Sequence, residues 1–201
     1  MLCTKSFLLY GCLFSLAPLK WHVCSIQHEF MNEKTPIISI VGRSNSGKTT
    51  LAVKLVKELK QRGYRVATIK HSHHALELDT EGKDSWLYSK AGADTVVVVS
   101  PTTMGVICRT PQEIPLSKIM DAYIADIDVV IIEGYKAEAI PKMEVFRTEV
   151  SDELVCKGDK NLRAVIGDRN PEIGVPFFHI QDNLSAIVDF LVAFIGTTER
   201  R

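Results

Sequence analysis

The chain has 201 residues, 46% of them hydrophobic, with 24 basic and 24 acidic side chains. That length suits one domain with a small appendage. A net charge of zero excludes a general nucleic-acid or anionic-membrane binder, because counterion release needs a basic face. No run of about 18 or more apolar residues occurs, so no membrane-spanning helix is expected.

Three of the five cysteines, Cys3, Cys12 and Cys24, fall in the first 30 residues. Cys108 and Cys156 stand alone and form no CxxC, which predicts a reducing, cytoplasmic setting rather than a disulfide framework. Residues 1–30 read as a non-core extension. Lys5 precedes the apolar run Phe7–Phe14 as in a short signal peptide, yet no small-x-small cleavage site follows. Met31, ahead of the polar spacer 32–36, is the expected natural start; a targeting segment is the alternative. Residues 31–201 are the expected domain.

From Ile37 the elements alternate. Ile37–Val41 is a short strand. Lys48–Arg62 carries Leu51, Leu55, Val56 and Leu59 at helical spacing and stops at Gly63. Tyr64–Lys70 is a second strand, followed by the aperiodic polar stretch Ser72–Lys83. Asp84–Ala91 is a short helix ended at Gly92. Thr95–Ser100, a β-branched run from Thr95 to Val99, reads as a strand buried on both faces. Met104–Arg109 returns antiparallel to it through the turn at Pro101. Pro115–Tyr123 is a helix with proline in its first turn. Asp128–Ile132 is another buried strand, closed by Glu133-Gly134. Lys142–Phe146, Arg163–Ile166 and Phe177–Ile180 are later strands. Asp182 or Asn183 caps a last helix that turns Leu184, Ile187, Val188, Leu191 and Val192 inward. The pattern predicts an α/β three-layer sandwich of the P-loop type: a mostly parallel sheet, helices on both faces, and an antiparallel edge hairpin. Ligands of such sheets lie at the carboxyl ends of the strands.

Gly42-Arg43-Ser44-Asn45-Ser46-Gly47-Lys48-Thr49 matches G-x-x-x-x-G-K-[ST] without a mismatch, with Thr50 next. Its glycines allow successive backbone N–H groups to cradle phosphate oxygens, and the helix adds its positive end. Lys48 is expected on the β- and γ-phosphates and the Thr49 hydroxyl on Mg²⁺. An ordinary strand–helix turn is the alternative. It leaves a lysine at a helix N-terminus, where positive charge is disfavoured without an anion.

The metal needs an acid, and Asp128 to Lys136, DVVIIEGYK, offers two. Glu133 ends its strand at the phosphate edge and is the metal candidate; Asp128, at the far end, reads as a solvated cap. The segment Lys70–Asp94 follows the second strand and so overlies the phosphates. Lys70 and His71 are expected to meet phosphate or an anionic substrate, and Asp79 to approach the metal. His71, His73 and His74 raise a zinc alternative that the missing cysteine pair disfavours. Gly82-Lys83-Asp84-Ser85 reads as a nucleotide-sensitive segment, against a merely solvated loop. No N-K-x-D box is present. Asp168, closing AVIGD, is placed to accept from guanine N1 and N2, although strand-end aspartates also form turns.

The P-loop, the KHSHH…GKDSW…AGA segment and DVVIIEGYK together resemble the molybdopterin-guanine dinucleotide biosynthesis protein B (MobB) family over Pro36–Ile195. The resemblance implies a homodimeric GTP-binding protein with weak GTPase activity. It would assist the molybdenum cofactor guanylyltransferase, which attaches GMP to molybdopterin, alongside other cofactor-maturation proteins. Gly42, Gly47, Lys48 and Thr49 inherit phosphate and metal roles, with Glu133 as the acidic strand end. Lys70, His71, His73, Gly82, Lys83, Asp84 and Ser85 occupy the signature loop. The 30-residue extension departs from the family pattern, as does Ala75-Leu76-Glu77-Leu78 in place of an aromatic–aspartate pair. No water-positioning glutamine follows the P-loop, so slow hydrolysis is expected. An ATP-dependent kinase or ligase of the dethiobiotin-synthase type and a pure adaptor are the rival readings.

Overall fold

A computed structural model describes residues 35–72, 76, 78–181 and 184–198. The extension before Met31, His73 and the Asp182/Asn183 cap lie outside these. In chain order the elements are β1 (Ile37–Val41), α1 (Lys48–Gln61), β2 (Val66–Lys70), α2 (Asp84–Lys90), β3 (Thr95–Val99), β4 (Met104–Cys108), α3 (Leu116–Tyr123), β5 (Val129–Glu133), β6 (Lys142–Phe146), β7 (Leu162–Gly167), β8 (Phe177–His179) and α4 (Leu184–Thr198). Six strands form one parallel sheet in the order β2-β5-β1-β6-β7-β8. This is the P-loop NTPase fold. Among the described residues no helix is long and apolar enough to cross a membrane.

A parallel sheet is stable only with both faces covered, and the strand residues divide accordingly. On one face Ile38, Ile40, Val129 and Ile131 pack under Leu51, Leu55 and Leu59 of α1 and Val188 and Leu191 of α4. On the other, Val130 and Ile132 meet Leu116 and Met120 of α3. Farther along that face, Val41, Phe146 and Val165 are covered not by a helix but by the loop carrying Leu154 and Cys156.

That loop explains two residues that sequence reading took as plain strand. In β6, Lys142 and Glu144 are each only 1% exposed and alternate with Met143 and Val145, so they point at the loop. Lys142 Nζ donates to Asp159 Oδ2 at 2.8 Å and to the carbonyls of Glu138 and Ile140. Glu144 accepts from the amides of Val155, at 2.6 Å, and Cys156, at 2.8 Å. Burial still pushes the Glu144 carboxyl up, against those amides and Arg43. Burial, with Glu144 nearby, pushes the Cys156 thiol to about 11 and leaves it inert.

Thr95–Ser100 is not a strand buried on both faces. β3 pairs only with β4, in a separate two-stranded antiparallel sheet. α2 packs on β3 and buries Val96, while Val97, Val99 and Met104, on the opposite face, are more than half exposed. β-branched composition dictated the strand, but among the described residues no helix covers its second face.

Candidate nucleotide-binding site

The chain between β1 and α1 has the backbone its glycines allow. Gly42 lies at φ 139°, Asn45 at 62° and Gly47 at 99°. A Cβ on Gly42 would sit 2.4 Å from the Val145 carbonyl oxygen, so no other residue fits there. Gly47 is the N-cap of α1 and supplies no side-chain acceptor, leaving the helix's first N–H groups without a side-chain partner. Such donors at a positive helix end are what an anion requires. Ser46 Oγ is buried in the same loop without a hydrogen-bond partner.

Lys48 Nζ donates to the Arg43 carbonyl at 2.7 Å and so folds over the loop. Burial holds its pKa below the ordinary lysine value; Glu133 opposes that shift and Lys70 adds to it. The Thr49 hydroxyl donates to Glu133 Oε2 at 2.8 Å, and Lys70 Nζ stands 3.5 Å from Oε1. Strand register places them: Lys70 pairs with Glu133, which pairs in turn with Ile40 just before the P-loop. A hydroxyl and a carboxylate side by side, with open phosphate donors next to them, fit Mg²⁺, which takes few protein ligands and keeps water and phosphate oxygens for the rest.

His71 turns elsewhere. Its ring stacks on Tyr135 with centroids 4.2 Å apart, and Nε2 lies 2.8 Å from Glu113 Oε1. Its amide donates to the Glu133 carbonyl. Gly134, at φ 107°, lets the two segments touch, since an added Cβ would meet the His71 backbone oxygen at 3.0 Å. His71 and the EGY turn thus pack together, a pairing hidden by the residues that separate them in sequence.

Asp79 lines a cavity shared with α2 and β4, whereas Thr49 and Glu133 line another. Asp168 sits at the end of β7 with its carboxylate engaged. It accepts from the Thr148 amide at 3.0 Å and hydroxyl at 3.1 Å, and from Arg147 Nε at 3.3 Å. Burial raises its pKa, and those three donors together outweigh that and hold it below the ordinary range. Arg147, which sequence reading missed, joins Asp168 to a cavity of about 240 Å³ lined also by Thr50, Lys54, Val145, Ile166 and Leu184. Apolar walls with a few polar groups beside the P-loop suit a planar base. Among the described residues no three His, Cys, Asp or Glu side chains gather as a metal cluster.

A family model described as molybdopterin guanine dinucleotide synthesis protein B, MobB, matches residues 37–168. The chain belongs to the MobB family. The matched range runs from the first residue of β1 to Asp168, just past the end of β7. The molybdopterin-guanine dinucleotide biosynthesis adapter protein of Haemophilus influenzae is 40% identical over 62% of this chain and 71% of its own. That of Escherichia coli is 34% identical over 80% and 93%. A crystal structure of molybdopterin-guanine biosynthesis protein B superposes with a TM-score of 0.63 at 31% identity, covering 79% of this chain and 98% of that one. Bacillus subtilis MobB gives 0.62 at 28%, covering 79% and 96%.

Proposed function

We propose that this chain is an adapter of molybdopterin-guanine dinucleotide biosynthesis that binds GTP with Mg²⁺ and hydrolyses it slowly while assisting the guanylyltransferase of molybdenum cofactor maturation. The observation that carries the reading is the Thr49–Glu133 hydrogen bond of 2.8 Å beside the uncapped start of α1.

Loop amides 43–48 and the α1 N-terminus hold the phosphate chain. Lys48 leaves the Arg43 carbonyl for the β- and γ-phosphate oxygens, where its charge opposes the negative charge that grows during transfer. Thr49, with Glu133 directly or through water, would hold Mg²⁺, which would supply Lewis-acid neutralisation of phosphate charge. Lys70 fixes the second carboxylate oxygen of Glu133. The cavity beside Thr50, Lys54 and Arg147 takes the base, and Asp168 orients Arg147 at its rim. The exposed β3–β4 face, with Val97, Val99 and Met104, is buried in a homodimer.

Titration calorimetry of the full chain with Mg²⁺ and either GTP or ATP tests this. GTP is expected to bind and ATP to bind at least about tenfold more weakly, a difference of about 1.4 kcal/mol. Lys48→Ala is expected to abolish GTP binding. A preference for ATP moves the dethiobiotin-synthase type of kinase or ligase to first place.

A further inference from the structure

The turn that follows Glu133 is held more tightly than a strand end needs. Gly134 lies at φ 107° and Tyr135 at φ 50°, two left-handed residues in succession, and the second is an aromatic only 8% exposed. A bulky side chain at positive φ is costly and persists only where its surroundings impose it. From β1, Ser39 Oγ donates to the Gly134 carbonyl, and the Ile40 carbonyl accepts the Gly134 amide at 3.1 Å. Just after β2, the His71 amide donates to the Glu133 carbonyl at 2.9 Å, and the His71 ring stacks on Tyr135. From the loop before α3, Glu113 Oε1 lies 2.8 Å from Nε2 of that ring and fixes its orientation. β1 thus holds the middle of the turn, while His71 grips both sides of it.

We infer that His71 is a positioning residue for the metal site: backed by Glu113, its ring holds Tyr135 left-handed and so keeps the Glu133 carboxylate on the Thr49 hydroxyl. The inference rests on the reading of Thr49 and Glu133 as Mg²⁺ ligands. It moves His71 from the phosphate, where sequence reading expected it, to a support of the acid. Freed from the ring, Tyr135 relaxes to negative φ, the peptide after Glu133 turns, and the carboxylate swings off Thr49. Removing a group that orients a metal ligand lowers metal affinity about 10–100-fold.

The test is a double-mutant cycle on the full chain, with GTP affinity measured by calorimetry across a Mg²⁺ series and in EDTA. His71→Ala is expected to raise the Mg²⁺ concentration at half effect about tenfold and to leave affinity in EDTA unchanged. Beside Glu133→Gln the same change is expected to add nothing, because His71 acts through that carboxylate. His71→Phe keeps the stacked ring and is expected to recover most of the loss. Glu113→Ala, at a carboxylate 65% exposed, is expected to give a smaller loss of the same kind. A loss of equal size in EDTA would put His71 on the phosphate, an undiminished loss beside Glu133→Gln would give it an independent role, and no loss would leave it idle; each overturns the inference. If the wild-type chain binds no nucleotide, the GTP reading fails; in that case, or if Glu133→Gln removes all Mg²⁺ dependence, a crystal structure of nucleotide-free His71→Ala decides this inference. Tyr135 at negative φ with Glu133 off Thr49 supports it, and a retained 2.8 Å contact overturns it.

Discussion

TVVVV of β3 and VVIIE of β5 are nearly the same sequence word with opposite fates. Four of the five β5 residues are buried, whereas in β3 only Val96 is. β5 lies between β2 and β1, with α1 on one face and α3 on the other. β3 has one strand beside it and one short helix behind it. Alternation and β-branching decide that a segment is extended; what covers it depends on topology, which a five-residue word does not carry. Hence β5 is enclosed within the chain, while the hairpin leaves Val97, Val99 and Met104 exposed.

The contrast breaks most visibly under truncation. Ile131→Ala, which opens a cavity beneath α1, is expected to cost about 2–5 kcal/mol in urea unfolding. Val97→Ala, on the bare hairpin face, is expected to stay within about 0.5 kcal/mol for the monomer. Sedimentation velocity then separates the roles: if the hairpin face joins two copies as proposed, Val97→Asp is expected to lower the dimer fraction and Ile131→Ala is not. Equal unfolding costs at the two sites would mean that the hairpin face is covered within one chain.

A smaller effect is expected where the sheet is covered by a loop instead of a helix. Asp159→Asn leaves the Lys142 ammonium, 1% exposed, with carbonyl partners only. Breaking a fully buried pair costs about 3–5 kcal/mol, and the quarter of Asp159 that water reaches lowers this to roughly 1–3 kcal/mol. Lys142→Met, which removes the charge with its partner's need, is expected to be milder than Asp159→Asn. The reverse order in thermal melts would show that the pair does not act through the buried ammonium.

Much of this was legible in advance because local chemistry enforces it. Glycines at φ 139° and 99° and a lysine at a helix start belong to one kind of loop, so the Gly42–Thr49 motif located the turn from β1 into α1. Glu133 followed from its place at the end of a buried strand. Less legible was whatever needed two distant segments to meet. The His71–Tyr135 stack joins residues 64 positions apart, by subtraction of their numbers. Arg147 reaches the cavity rim only because β6 and β7 are neighbours. The loop that satisfies Lys142 and Glu144 had no periodic signal. Alternating charges inside an otherwise central apolar strand, K-M-E-V-F, were the clue that something polar must lie opposite.

The two ends of β5 sharpen the comparison on the smallest scale. Glu133 at the carboxyl end serves the candidate metal site, and Asp128, just before the strand, ties its foot to edge strand β2. Asp128 accepts the Arg65 amide at 2.6 Å and Nη2 at 2.8 Å, while its own amide donates to the Arg65 carbonyl. It is therefore a paired clamp where sequence reading expected a solvated cap. Its hydrogen bonds to Arg65, side chain first and then amide, hold the carboxyl below its ordinary value near 4. Near that pH the folded state thus binds fewer protons than the unfolded one. The stabilisation is full above the unfolded value and is lost as pH falls through the lower folded value. Because the pair is exposed, Asp128→Asn is expected to cost only about 0.5–1 kcal/mol at pH 7. Wild-type and variant urea midpoints should converge as the pH falls through the folded-state value of Asp128. Midpoints that stay apart in acid would assign the effect to the neutral hydrogen bond at the Arg65 amide, not to the charge.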